Sequence, residues 1–173
     1  MSEENRATIL VVDDNEMNRD VLTRRLERQG HVIVPAENGE RALEEVEKQP
    51  VDLILLDIMM PKLNGYEVLE RLKANPQHRH IPVIVISALG ELESVVKCIE
   101  LGAEDYLFKP FNPILLKARL NSTLEKKRVR DIKPELLDQL DGYVSALITA
   151  GTLNEEQHTL ITQIRATIQK LKH

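Results

Sequence analysis

Tryptophan is missing from this chain, aromatic residues make up only 3% of it, and a single cysteine is present. A lone Cys98 cannot close an internal disulfide, which agrees with a reducing compartment. Its window SVVKCIELG reads as one apolar helix face, so Cys98 is expected to be a small core residue. Long apolar runs are missing too: no window approaches the about 18 residues that span a bilayer. The N-terminal MSEENRAT is polar and acidic, without the basic start and apolar stretch of a secretory leader. The expected location is therefore the cytoplasm, with no membrane partner. Basic excess is also lacking, since 23 Lys and Arg face 28 Asp and Glu for a net charge of −5, which argues against nucleic acid as the main partner. The basic run KARLNSTLEKKRVR has no interleaved aromatics to stack on bases, so it reads as a solvated helix face. The HRH stretch at 78–80 reads as a solvated loop, and the acids of GAEDY are expected to face water.

What the chain does have is alternation. TILVV is apolar and β-branched, EMNRDVLTRRLERQ has helical spacing at Met17, Val21, Leu22 and Leu26, and Gly30 supplies the stop. HVIVPA reads as a second strand, NGERALEEVEKQ as a helix capped by Asn38, and DLILLD as a third strand. The pattern repeats through GYEVLERLKAN, IPVIVIS, ELESVVKCIELG and DYLFK, and a long helix begins at about Asn112. Continuous Val, Ile and Leu strands signal a sheet buried on both faces, hence parallel strands with helices on either side. The prediction is an α/β domain over residues 5–125 with a five-stranded, parallel, doubly wound sheet, followed by a helical extension over 126–173.

In open α/β sheets ligands bind beyond the carboxyl ends of the strands. Asp13 and Asp14 follow the first strand, Asp57 ends the third, Ser87 the fourth and Lys109 the fifth. An Asp-Asp pair alone is usually a helix cap and a strand-end serine usually a turn residue. Their convergence on one sheet edge marks a site.

The combination of VVDDN, LLDIMMPKLNG, VIVISA and YLFKPF resembles the receiver domain of two-component response regulators over about residues 7 to 125. The resemblance implies a flavodoxin-like fold with Asp57 as phosphoacceptor, and Asp13 and Asp14 holding a divalent cation. It implies further that Ser87 and Lys109 contact the phosphoryl group, that Tyr106 is the switch aromatic, and that the bond before Pro110 is cis. A histidine kinase or histidine phosphotransfer protein would be the donor.

The chemistry agrees with that resemblance. Two unit charges about 4 Å apart repel by on the order of 4 kcal/mol at an effective dielectric near 20, so a carboxylate cluster needs a cation. With oxygen ligands and no nearby His or Cys, Mg²⁺ fits best, held by Asp14, Asp57, the Met59 backbone carbonyl and waters, with Asp13 acting through a water. A carboxylate is a competent nucleophile toward phosphorus, and positioning with charge neutralisation does the rest. Movement of Ser87 toward the phosphoryl group would vacate space for Tyr106 and change the face made by the fourth helix, fifth strand and fifth helix. Apolar Met59 and Leu89 are expected to shield the acyl phosphate from water. An aspartate-nucleophile phosphatase is disfavoured, because Met59 stands where its general acid would be, so the chain is read as not an enzyme.

In the extension, Pro134 fits a first helical turn, and Leu136, Leu137, Leu140, Tyr143, Val144, Leu147 and Ile148 recur at three and four. Gly151 ends that helix, Thr152 with Glu155 reads as a capping box, and Leu160, Ile161, Ile164, Ile168 and Leu171 give a second stripe. The last receiver helix is thus expected to be followed by a two-helix hairpin, which needs something to pack on; homodimerisation as four helices is the first expectation. Acids outnumber bases there, against DNA binding. Two alternatives stay open: a phosphorelay carrier with a structural tail, and a fragment of a larger regulator lacking its output domain.

Overall fold

The computed structural model describes residues 6–88, 92–150 and 154–172. Its sheet is parallel throughout, with strands β1 (Thr8–Val12), β2 (Val32–Ala36), β3 (Leu53–Asp57), β4 (Val83–Ala88) and β5 (Asp105–Lys109) in the order β2-β1-β3-β4-β5. The five helices α1 (Glu16–Glu27), α2 (Gly39–Lys48), α3 (Gly65–Ala74), α4 (Leu92–Glu100) and α5 (Pro113–Thr149) alternate with the strands, and α6 (Glu155–Lys172) follows.

Alternation along each strand explains the two apolar layers. Leu10, Val12, Ile54, Leu56, Val83 and Val85 point to one face, with α2 and α3 residues such as Val46, Val68 and Leu69. Ile9, Val11, Leu53, Leu55, Ile84 and Ile86 point to the other, with Leu22 and Leu26 of α1 and Leu116 and Leu120 of α5. Cys98 is fully buried in the first layer, as its window suggests, and its thiol pKa is pushed up to about 11 by burial. Asn38 caps α2 through the Arg41 N–H, and Gly30 takes a positive φ of 92° after α1 that favours glycine. The Lys109–Pro110 peptide is cis.

Several expectations need correction. Met17 and Val21 of α1 were assigned to the apolar face but are 75% and 48% exposed, since only Leu22 and Leu26 of that helix are turned toward the sheet. Pro134 does not begin a helix. The expected separate helix from Pro134 is the second part of α5, which runs 37 residues without a break. A proline forfeits one bond, to the carbonyl four residues back, and here the apolar period on both sides carries the helix across. Asp105 does not face open water but accepts a 3.0 Å hydrogen bond from Arg119. His78 is half-buried rather than solvated.

The chain divides into two compact units between Leu124 and Glu125. In the second, Leu137 and Val144 of α5 bury against Ile161 and Ile168 of α6, with Ile148 beside them. Gly151 and Thr152 lie outside the described residues. The N-terminus of α6 is instead closed by Asn154 and Gln157, whose side chains accept from each other's backbone N–H at 2.9 and 3.0 Å.

Candidate functional site

The carboxyl ends of β1, β3, β4 and β5 deliver their polar groups to one place. Asp57 is the last residue of β3 and is buried on all sides but the site. Lys109, the last residue of β5, places its ammonium 2.6 Å from Asp57 Oδ2 and 2.6 Å from Asp13 Oδ2. Carboxylate oxygens of Asp13, Asp14 and Asp57 all lie within 4.8 Å of one another, with Asp13 and Asp57 buried and Asp14 exposed. Three carboxylates of purely oxygen character at this spacing, with one ammonium between two of them, suit a hard divalent cation.

Local structure fixes each group. Asp13 leaves β1 and accepts from the Asn15 N–H at 2.9 Å and from the Asn18 amide at 3.2 and 3.3 Å, while Asn15 itself caps α1. Arg19 donates to the Asp13 and Asp14 carbonyls at 2.7 and 3.1 Å. The Met59 N–H donates to Asp57 Oδ1 at 3.2 Å, and the Met59 side chain projects outward, 70% exposed. Asn18 and Arg19 were not singled out in the sequence, although their places in the first turn after Asp13 and Asp14 are a signal that could have found them. Gly65, the first residue of α3, has a packing role that the sequence does not signal. A Cβ there would stand 2.3 Å from the Asp57 carbonyl oxygen, so α3 can start under the site only with glycine at this position.

Charge and burial oppose each other at Asp57. Burial raises its pKa above the ordinary carboxylate value; the Lys109 ammonium pulls it down without cancelling the rise, to which Asp13 adds. Burial alone would lower the pKa of Lys109, but its hydrogen bonds to Asp13 and Asp57 raise it. On the far side, Ser87 is buried near the end of β4 and lies beside the Tyr106 hydroxyl. Tyr106 is half-buried, and Phe108 meets its ring edge-on at 5.0 Å and 61°. All the singled-out side chains except Leu89, which lies outside the described residues, thus fall on one edge of the sheet or directly behind it.

Residues 9–121 match the family model described as the response regulator receiver domain. The chain belongs to this receiver family. The chain aligns at 39% identity over 161 residues with a "Probable cyclic di-GMP phosphodiesterase" of Vibrio cholerae, covering 93% of this chain and 36% of that one. It is 38% identical over 137 residues to the alkaline phosphatase synthesis transcriptional regulatory protein PhoP of Bacillus subtilis, covering 79% of this chain and 56% of that one. Among solved structures, the Vibrio cholerae chemotaxis protein CheY4 superposes with a TM-score of 0.65 at 28% identity, over 68% of this chain and 98% of that one. The chain thus spans between about a third and somewhat more than half of the two curated relatives' lengths, 36% and 56%. Among the described residues no helix is long and apolar enough to cross a membrane.

Proposed function

We propose that this receiver accepts a phosphoryl group on Asp57 from a phosphohistidine of a histidine kinase or histidine phosphotransfer protein, with Mg²⁺ bound. The observation that carries this reading is Asp57 at the buried end of β3, 2.6 Å from the Lys109 ammonium and within 4.8 Å of two more carboxylates. Asp13, Asp14, Asp57 and the Met59 backbone carbonyl would hold the cation, which when bound neutralises phosphoryl oxygens and orients the donor. An Asp57 oxygen attacks phosphorus, the bond to the donor imidazole breaks, and an acyl phosphate remains. Lys109 then exchanges its contact with the carboxylate for one with a phosphoryl oxygen, and Ser87 donates its hydroxyl to another. Exposed Met17 and Val21, on the helix that directly follows Asp13 and Asp14, offer apolar surface to a protein donor.

Withdrawal of Ser87 from the Tyr106 hydroxyl would free that ring to move inward, and the edge contact with Phe108 would carry the change to the α4, β5 and α5 surface. The helical unit would carry the output by assembly with a second copy or with a partner. A second reading is favoured by the similarity over 161 residues, which runs well past the receiver: the helices would couple the receiver to a further domain, as in the relative named a phosphodiesterase. A relay carrier with a purely structural tail is the third possibility.

Incubation with Mg²⁺ and phosphoramidate tests the central reading. Intact mass should rise by one phosphoryl group in the wild type, and the gain should vanish in Asp57→Ala or with a chelator. Unchanged labelling of Asp57→Ala would overturn it.

A further inference from the structure

The helical unit has two unlike sides. On one, α5 and α6 are joined by ion pairs: Arg165 to Asp141 at 3.5 Å and Lys172 to Asp138 at 2.8 Å, with the Gln169 amide donating to Asp141 at 3.2 Å. These contacts also fix the two helices as antiparallel, because residue numbers rise along one as they fall along the other.

The other side is apolar. Leu136, Leu140, Tyr143 and Leu147 of α5 are between 49% and 67% exposed. On α6, Leu160, Ile164 and Leu171 are similarly open. At about 3.6 residues per turn, each stripe lies roughly 60° to 120° around its helix from the buried Leu137 or Ile161, in the same rotational sense. In antiparallel neighbours the same sense leads to the same side of the pair. The two stripes therefore merge into one face, opposite the ion pairs.

We propose that a second copy of this chain covers this face, the two hairpins packing face to face about a two-fold axis to form a four-helix bundle. The face carries no carboxylate, ammonium or guanidinium along either stripe from Leu136 to Leu147 or from Leu160 to Leu171. An acidic or basic partner would find nothing to pair with there, whereas a flat apolar face is its own complement under two-fold symmetry. Seven large side chains, each about half open, offer on the order of 600 Å² per copy, close to the ~800 Å² per partner of a stable interface. Among the described residues the core that the hairpin makes alone is small, with Leu137, Val144, Ile161 and Ile168 its buried apolar residues, and a pair of helices gains most of its stability from burying its apolar faces. Val129 and Ile132 continue the α5 stripe at and past the level where α6 ends and are 63% and 50% exposed, which extends the apolar face.

This makes specific the assembly reading given above for the helical unit, and it is separate from the phosphoryl chemistry. Light scattering on the full chain should give twice the chain mass. In the double variant Leu140→Lys, Ile164→Lys the mass should halve, with helical circular dichroism and Asp57 labelling kept. Thr162→Lys, on the opposite side of α6, should stay dimeric. A monomeric wild type, or a dimer that survives the double variant, overturns the proposal.

Discussion

Burial raises the pKa of Asp57 against the pull of the Lys109 ammonium. A carboxyl whose folded pKa lies above its unfolded value binds protons more readily in the folded chain, so its contribution to stability is largest in acid and declines as pH rises through the raised pKa. Asp57→Asn removes that cost. At neutral pH without divalent cations it should melt higher by about 3 °C, corresponding to about 1 kcal/mol, and the gap should close in acid. A variant melting below the wild type at neutral pH would show that Lys109 outweighs burial. Lys109 is the opposite case, with its pKa raised by Asp13 and Asp57; its contribution is complete below the ordinary lysine value and is lost as pH climbs through the folded one. Lys109→Ala leaves two buried carboxylates facing each other and should cost about 3 kcal/mol in urea unfolding, part of it restored by Mg²⁺. Met59 has its N–H on Asp57 and its side chain outside, so Met59→Asn should speed hydrolysis of the acyl phosphate by admitting water; an unchanged rate would remove Met59 from that role. The acids, Ser87 and Lys109 were legible in sequence because each stands at a strand end, and strand ends share an edge. Asn18 and Arg19 carried a weaker signal, their place in the first turn after the acids, while Gly65 owes its importance to the strand-end backbone packed against it, which spacing does not reveal.

The helices differ in what their glycines do, and the difference can be measured. Gly65 opens α3 against the Asp57 carbonyl oxygen and Ile58 Cα, where an added Cβ would stand at 2.3 and 2.7 Å from rigid backbone. Gly65→Ala should cost several kcal/mol and impair phosphoryl acceptance together, since the strand end itself must shift. Gly142 lies inside α5 with nothing within 4 Å of an added Cβ, and Gly142→Ala should stabilise the helix by about 0.5 to 1 kcal/mol. Thermal melts of both variants check the pair, and equal signs would contradict the assignment of one glycine to packing and the other to mere tolerance. Element type was readable along the α/β domain because period two and period 3.6 alternate there with clear caps. It misled in α5, where Pro134 carried a start signal that the surrounding period overrode, and at α6, whose cap is Asn154 with Gln157. Burial was harder to read than type: Met17 and Val21 have core spacing but sit on the flank of α1 that the sheet does not reach.

At the scale of the whole chain, two units with different sources of stability predict two kinds of response. The receiver buries two continuous apolar layers and carries a carboxylate cluster whose repulsion a bound cation would relieve. Anything that binds the folded state alone stabilises it by mass action, so Mg²⁺ should raise the melting temperature of the receiver. The helical unit has a small core of its own among the described residues and an open apolar face, which on the proposal above a second copy covers. For an associating unit the linked ligand is the chain itself, so its melting temperature should rise with protein concentration and be indifferent to Mg²⁺. Differential scanning calorimetry of the full chain at two concentrations a factor of ten apart, each with and without Mg²⁺, separates these effects. The expected result is two transitions, one moving by several degrees with concentration and the other with the cation. In Leu140→Lys, Ile164→Lys the concentration-dependent transition should fall and lose its dependence while the cation-dependent one stays. A single transition that answers to both variables would mean that receiver and helices unfold as one body, in which case a phosphoryl group on Asp57 would act on the assembly directly through shared stability.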